Sequence, residues 1–502
     1  MTEKESPSVV IVGAGIAGLS AGVYAQANGF KTRIIEMHTM PGGLMTAWKR
    51  KGYTIDGCIH WLSGSREGSS LFQQWQEIGL IQGLEIYDPE VFLRFESKDG
   101  KVLKMYSDVN RLEKHLLELA PEDAVAIRAM CRDIRLFANM SLPPIHSAGD
   151  IFRFLGALPK AALAFPRVGK IVKMNSQQYA AQFKNDFLRQ TFSEMWMGNM
   201  SAIALLMTMA MLHRREAGYP IGGSVPMARA VEKRFCQLGG EIEYNTRVEK
   251  IIVENGQAVG VLLADGREVR ADYVISGADG YATIFKMLDG KYVSEETKAI
   301  YQKGEIFPPI LFIGLGVDQK IDDPELYGIT GGISFPIDDP IEIAGEPVKQ
   351  MDAMIYNFDP TLSPEGKTVI TLMQPTSYTY WKELAEEPER YQAEKERVAL
   401  EYIKRLDVRF PGFSERVEMA DVATPVTFER YTGNWQGSFE GWLPTPGMIM
   451  KRISKTLPGL ENFYMVGQWV QAGGGLPSGV MTGRQVVQMI CKKEGKKFRS
   501  QA

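Results

Sequence analysis

Four consecutive apolar residues, Val9, Val10, Ile11 and Val12, run directly into Gly13-Ala14-Gly15-Ile16-Ala17-Gly18. No other feature of this chain restricts its fold as tightly. The run reads as a buried parallel strand, and the glycines put a turn immediately behind it. Ile16, Leu19, Val23 and Ala27 then recur three or four apart, which gives the next segment one apolar helical face as far as Asn28-Gly29, where glycine suits a left-handed cap. A second strand over residues 32–35 ends at Glu36. Strand, glycine turn, helix, strand and acid, in that order, predict a βαβ unit that seats a nucleotide diphosphate.

The glycines divide the work. Gly13 permits the tight turn, Gly15 lets the backbone approach a pyrophosphate, and Gly18 lets helix and strand pack closely. The helix opening at Ile16 and Ala17 offers free N–H groups and a positive dipole end to the same group. Glu36, followed by Met37, is placed to accept hydrogen bonds from a ribose diol, and its charge disfavours a 2′-phosphate. FAD or NAD is therefore expected rather than NADP.

With 502 residues, 45% of them hydrophobic and 23% charged, the chain is a folded protein of two or three domains. Its 57 Lys and Arg against 60 Asp and Glu leave a net charge of -3, which provides no pull toward nucleic acid. Cys58, Cys131, Cys236 and Cys491 stand far apart with no C-x-x-C pair, so neither a disulfide framework nor a metal site is expected. The polar start lacks a signal-peptide pattern, and no stretch reaches the about 18 apolar residues of a membrane span. A cytoplasmic location is expected.

A second glycine pair, Gly42-Gly43, followed by Leu44, comes soon after Glu36, where a nicotinamide enzyme has no need of one. By itself such a pair is equally a plain turn. Near the far end, residues 462–468 read as a strand running into a turn at Gly467-Gln468. Trp469 and Gly473-Gly474-Gly475-Leu476-Pro477 follow, and then a helix through Val480, Val487 and Ile490. That arrangement points a second helix amino terminus at a ligand, suited to the negative charge of a reduced isoalloxazine. Between the two ends, residues 247–253, 258–263 and 268–275 form three strands separated by Asn255-Gly256 and Asp265-Gly266, both hairpin signals.

Taken together, these residues resemble the phytoene desaturase, carotenoid isomerase and retinol saturase family within the amine oxidase-like flavoproteins. The anchors are residues 10–43, 224–279 and 463–485. The resemblance implies FAD as cofactor and an α/β fold: a Rossmann-like FAD-binding domain with an inserted β-meander, plus a discontinuous α+β substrate-binding domain. Residues 1–62, 220–280 and 441–502 would make the first, and 63–219 and 281–440 the second. It also implies that Val248 meets the adenine through its backbone. Leu44 stands where the family often has arginine, and Cys58 where many relatives have glycine, so the flavin-facing loop differs.

The region left for the substrate is rich in bulky apolar residues. Met195, Met197, Met200, Met207, Met209 and Met211 crowd one segment, and their flexible thioethers suit an elongated apolar ligand, although any one of them taken singly is more often a plain helical core residue. Met197, Met207, Met211, Trp469 and Tyr431 are the expected substrate-lining set, with Trp435 a weaker candidate. Residues 151–184 contain no acid and carry Arg153, Lys160, Arg167, Lys170, Lys173 and Lys184 among apolar groups. Such a stretch suits either a peripheral contact with a membrane surface or an ordinary surface lobe; Pro159 and Pro166 exclude one continuous amphipathic helix.

Flavin carries the difficult chemistry, so the protein needs chiefly to place a substrate and exclude water. Because the resemblance puts the loop after Asp56 near the flavin ring, His60 and Trp61 are the catalytic candidates. His60 is suited to moving a proton near neutral pH, or is a hydrogen-bonded structural residue. No second strand-glycine-helix unit occurs: Ser276-Gly277-Ala278-Asp279-Gly280 and Gly314-Leu315-Gly316 both lack the spacing. The electron donor or acceptor is thus left open. The expected activity is desaturation, saturation or isomerisation of an apolar unsaturated lipid by hydride transfer at flavin N5. The alternatives are a flavin amine oxidase and a flavin-free prenyl-lipid carrier of the GDP-dissociation inhibitor kind.

Overall fold

A computed structural model describes residues 6–140, 166–195, 197–321 and 323–501. The apolar run at the start is the central strand, Ser8–Val12, of a five-stranded parallel sheet. Its spatial order is Glu241–Glu243, Lys31–Ile35, Ser8–Val12, Tyr273–Ser276 and Phe463–Met465. A strand flanked on both sides and covered on both faces must be apolar throughout, and Val9, Val10, Ile11 and Val12 are all buried.

Two helices cover one face of this sheet. Ile16–Ala27 follows the glycine turn, and Gly475–Lys493 lies against it. Their close approach depends on missing side chains: a Cβ on Gly479 would fall 2.7 Å from Ile16, and one on Gly483 would fall 2.9 Å from the Ala21 nitrogen. Ser224–Gln237 packs on the same helix, with Phe235 against Gly22.

The meander differs from expectation in its third strand. Val248–Glu254, Gln257–Leu263 and Glu268–Arg270 form the antiparallel unit, whereas Tyr273–Ser276 leaves it and pairs in parallel with Ser8–Val12. One stretch of sequence thus serves two sheets, first as a largely exposed strand and then as a buried one, and the break falls at Ala271 and Asp272, where the chain turns between them.

A seven-stranded sheet forms the second large layer. Its order is Val417–Ala423, Ile310–Val317, Thr368–Pro375, Glu346–Ile355, Ile333–Ile343, Val91–Glu96 and Val102–Tyr106. Pro388–Arg409 packs on its outer face through Val398, Tyr402 and Leu406. The inner face receives a hairpin from the nucleotide side, Ala47–Arg50 with Tyr53–Asp56. Gly314 and Gly316 lie under Ile55 and Tyr53, at distances of 2.7 and 2.6 Å from an added Cβ. Those two glycines, which lack nucleotide-binding spacing, therefore serve this packing. Among the described residues, Val109–Leu119, Ala124–Asn139, Asp186–Glu194 and Ile203–His213 build a separate helical layer around Ile127, Leu188 and Leu206.

Candidate functional site

The glycine turn is shaped for a ligand. Gly13 has φ +94°, and a Cβ on Gly18 would sit 2.0 Å from the Gly13 carbonyl oxygen. The second glycine pair folds back onto the first turn: the Gly42 N–H donates to the Ala14 carbonyl at 2.9 Å, and a Cβ on Gly43 would lie 3.2 Å from the Gly15 Cα. By contrast, nothing lies within 3.8 Å of a Cβ built on Gly15, so its outer side is open.

Glu36 is buried at the end of its strand. Its Oε2 accepts from the Ala14 N–H at 2.6 Å and its Oε1 from the His38 N–H at 2.8 Å. These bonds hold the carboxylate still, and each oxygen keeps a lone pair for a sugar hydroxyl. The stretch leading to Val248 runs alongside, with the Thr246 N–H donating to the Glu36 carbonyl at 2.9 Å. At the opposite end of the corridor, Gly467 has φ +98° and its N–H donates to Thr482 Oγ1 at 2.8 Å, which ties the turn beside Gln468 to Gly475–Lys493.

A single cavity of about 2250 Å³ joins these parts. It is lined by Gly13, Gly15, Ile16, Ala17, Glu36, Met37, Gly42, Gly43, Leu44 and Val248, and also by Gly467, Gln468, Leu476 and Pro477. Gly18 and Val480 do not line it; they act behind the wall, one in the turn and one in the core. The volume exceeds the about 300–1,000 Å³ of an ordinary ligand pocket, enough for a dinucleotide and a second molecule.

The same cavity continues past His60 and Trp61 to Met195, Met197, Met200, Met207 and Met211, but Met209 points into the helical core. Trp469 lines it while packing against Trp442 at 5.2 Å between ring centroids. Trp435 stands behind, stacked on Tyr281 at 5.1 Å. Tyr431 is not among the methionines: its ring lies 5.4 Å from that of His38, at the end of the cavity nearest Glu36. Of the basic stretch, residues 151–165 lie outside the described residues. Arg167 is engaged, its guanidinium holding the Asp133 carboxylate at 2.6 and 2.9 Å, while Lys170 and Lys173 are exposed.

Three carboxyls at this site were not singled out by sequence. Asp56 is buried at the end of the hairpin and accepts from the N–H groups of Ser224, Cys58 and Ile59. Burial pushes its pKa up against those donors. Asp279 accepts from the Ala282 and Trp435 N–H groups at 2.7 and 2.9 Å, and burial raises its carboxyl to about 6. Glu440 lines the cavity with no hydrogen bond or ion pair to any described residue, and burial raises its carboxyl to about 8. Nothing in local sequence distinguishes these from the chain's other acids.

His60 faces the cavity, and neither of its ring nitrogens bonds a described residue, so the hydrogen-bonded structural role is not met. Burial lowers its pKa to about 4 and keeps the imidazole neutral at physiological pH. Trp61 packs edge-on against Phe92 at 5.3 Å.

The model of flavin-containing amine oxidoreductases matches residues 16–491. The chain belongs to this family. It is an FAD-dependent oxidoreductase, and the open side of Gly15, the held Glu36 carboxylate and the two converging helix amino termini fit that cofactor. Among family relatives, it is 25% identical over 500 residues to a chloroplastic prolycopene isomerase of Arabidopsis thaliana, covering 96% of this chain and 82% of that one. It is 24% identical over 510 residues to a neurosporene-forming phytoene desaturase of Rhodobacter capsulatus, covering 96% and 93%. A solved oxidoreductase from Methanosarcina mazei shares the fold with a TM-score of 0.62 at 20% identity, over 96% of this chain and all of that one. A putrescine oxidase bound to putrescine does so with a TM-score of 0.60 at 14% identity, over 97% and 99%.

Proposed function

We propose that this flavoenzyme rearranges, forms or removes carbon–carbon double bonds in a long apolar lipid such as a carotenoid, retinoid, other isoprenoid or fatty acyl chain. The carrying observation is the unbroken cavity from the glycine turn, past His60, to the methionine-lined arm. Relatives named for prolycopene and phytoene chemistry, similar over nearly the whole chain, support the same substrate class. When bound, FAD supplies a hydride donor or acceptor at N5.

The protein's own part is placement and exclusion of water. Met197, Met207 and Met211 would hold the apolar chain, and Trp61 with Trp469 would wall the slot. His60, being neutral, would contact substrate without adding a buried charge. No helix among the described residues is long and apolar enough to cross a membrane. Exposed Lys170 and Lys173 would allow a peripheral contact from which an apolar substrate is drawn.

The test is anaerobic incubation of the purified protein with lipid extracts, followed by mass spectrometry. A gain or loss of two hydrogens, or unchanged mass with altered retention, supports the reading. In a parallel incubation with amines in air, peroxide release without change in any lipid would establish the amine oxidase alternative, and a colourless protein that refuses FAD would establish the carrier.

A further inference from the structure

Glu440 occupies an unusual position for a carboxyl. Its main chain and Cγ pack directly on Gly474, where an added Cβ would fall 2.3 Å from both the Glu440 Cγ and its carbonyl oxygen. Its Oε1 lies 3.1 Å from the place a Cβ on Gly475 would take, at the start of Gly475–Lys493. The side chain therefore covers the glycine turn that leads from Gln468 into that helix, and it lines the same cavity as Cys58 and His60. Glycines at 474 and 475 are what make room for it.

The groups around it supply no counter-charge. Burial pushes the Cys58 thiol well above its ordinary range. Asp56, behind Cys58, is occupied by Ser224 and the loop N–H groups. His60 is uncharged. The nearby helix amino terminus favours an anion, but none of its N–H groups bonds the carboxyl. A carboxylate taken from water without a donor or a cation is costly, so the neutral acid is the resting form.

We propose that Glu440 is the proton donor to a substrate carbon in this cavity, which makes double-bond isomerisation a reaction of this site. The proposal rests on the polyene reading above. Donation breaks the carboxyl O–H bond and forms a C–H bond at one end of a double bond, leaving the positive charge spread over the remaining conjugated chain. Rotation about the weakened bond follows. The Glu440 carboxylate then takes a proton back from that carbon, and the double bond is restored. No electrons are gained or lost overall, and the one proton returns to its source. The pKa of about 8 keeps the donor loaded through neutral pH.

The experiment uses the FAD-loaded full chain, its Glu440→Gln variant and a cis/trans lycopene mixture in detergent, in D2O. Infrared difference spectra recorded without substrate should contain a protonated carboxyl band that persists at pH 7, falls to about half near pH 8 and is missing from the variant. With lycopene, the wild type should exchange deuterium into polyene carbons and equilibrate isomers at a rate that falls above about pH 8. The variant should bind flavin and lycopene unchanged yet lose exchange by at least roughly 100-fold. A carboxyl band that titrates near the ordinary glutamate range overturns the proposal, as does undiminished exchange in the variant. Lycopene that fails to bind the wild type sinks the polyene reading and this proposal with it, whereas bound lycopene that exchanges no deuterium sinks the proton donor alone.

Discussion

The Asp56 carboxylate accepts from both the main chain and the hydroxyl of Ser224, at 2.5 and 2.7 Å, and so fastens the end of the Tyr53–Asp56 strand to the start of Ser224–Gln237. The same carboxylate takes the N–H groups of Cys58 and Ile59, each at 3.0 Å. One buried side chain thus fixes the loop that carries His60 into the cavity. Gly223, with φ +72°, leaves the room it needs, since a Cβ there would fall 2.3 Å from Oδ2.

Asp56→Ala should leave those donors unpaired in the interior and cost on the order of 3 kcal/mol of stability. Denaturant titration checks the loss, and the flavin spectrum should shift as the His60 loop relaxes. A change within about 0.5 kcal/mol would mean that water replaces the carboxylate without penalty.

Glu36→Ala should weaken FAD by roughly 10- to 100-fold, the worth of hydrogen bonds to a charged group. Part of that loss would come through the Ala14 N–H, which the carboxylate holds at 2.6 Å. Titration of the apoprotein with FAD measures it. Unaltered affinity would place the ribose elsewhere.

The titratable groups that line the cavity give stability opposing slopes with pH. His60, lowered to about 4, binds its proton less readily than in the unfolded chain, where the value is about 6.5. Its contribution is complete above about 6.5 and is lost as pH falls toward 4. Glu440, raised to about 8, binds its proton more tightly than when unfolded, so stability falls as pH rises from about 4.5 to 8. Unfolding midpoints at pH 6 and 9 should differ less in Glu440→Gln than in the wild type, and His60→Gln should flatten the acid side. Parallel profiles for wild type and variants would contradict both assignments.

Met211→Glu puts a carboxylate into the apolar arm of the cavity. Lycopene affinity should drop by more than roughly tenfold because the charge must be desolvated against hydrocarbon, whereas FAD binding should be unaffected. Quenching of intrinsic fluorescence by lycopene reads the first, and flavin absorbance the second. Equal lycopene binding by both proteins would place the substrate in another arm.

Legibility followed how local each constraint is. The first turn could be read because Gly13, Gly15 and Gly18 meet their requirements within six residues, and the turn at Gly467 because its helix follows at once. The break between Glu268–Arg270 and Tyr273–Ser276 went unread: the first strand is largely exposed and the second wholly buried, but the partner that each takes is set only in three dimensions. Tyr431 was singled out by its aromatic character; it lines the cavity, but the helix Pro425–Thr432 sets it beside His38 rather than among the methionines, which local sequence does not reveal.

By itself, the sequence determined that a parallel sheet would begin at Val9, that a dinucleotide would rest on the glycines behind it, and which family's chemistry to expect. Periodicity and turn stereochemistry act over a few residues and need no distant partner. Only the tertiary structure decided which of 60 acids would lie beside the second glycine turn without a cation or an N–H donor. Desolvation depends on everything that surrounds a group, and the segments that enclose Glu440 come from widely separated parts of the chain.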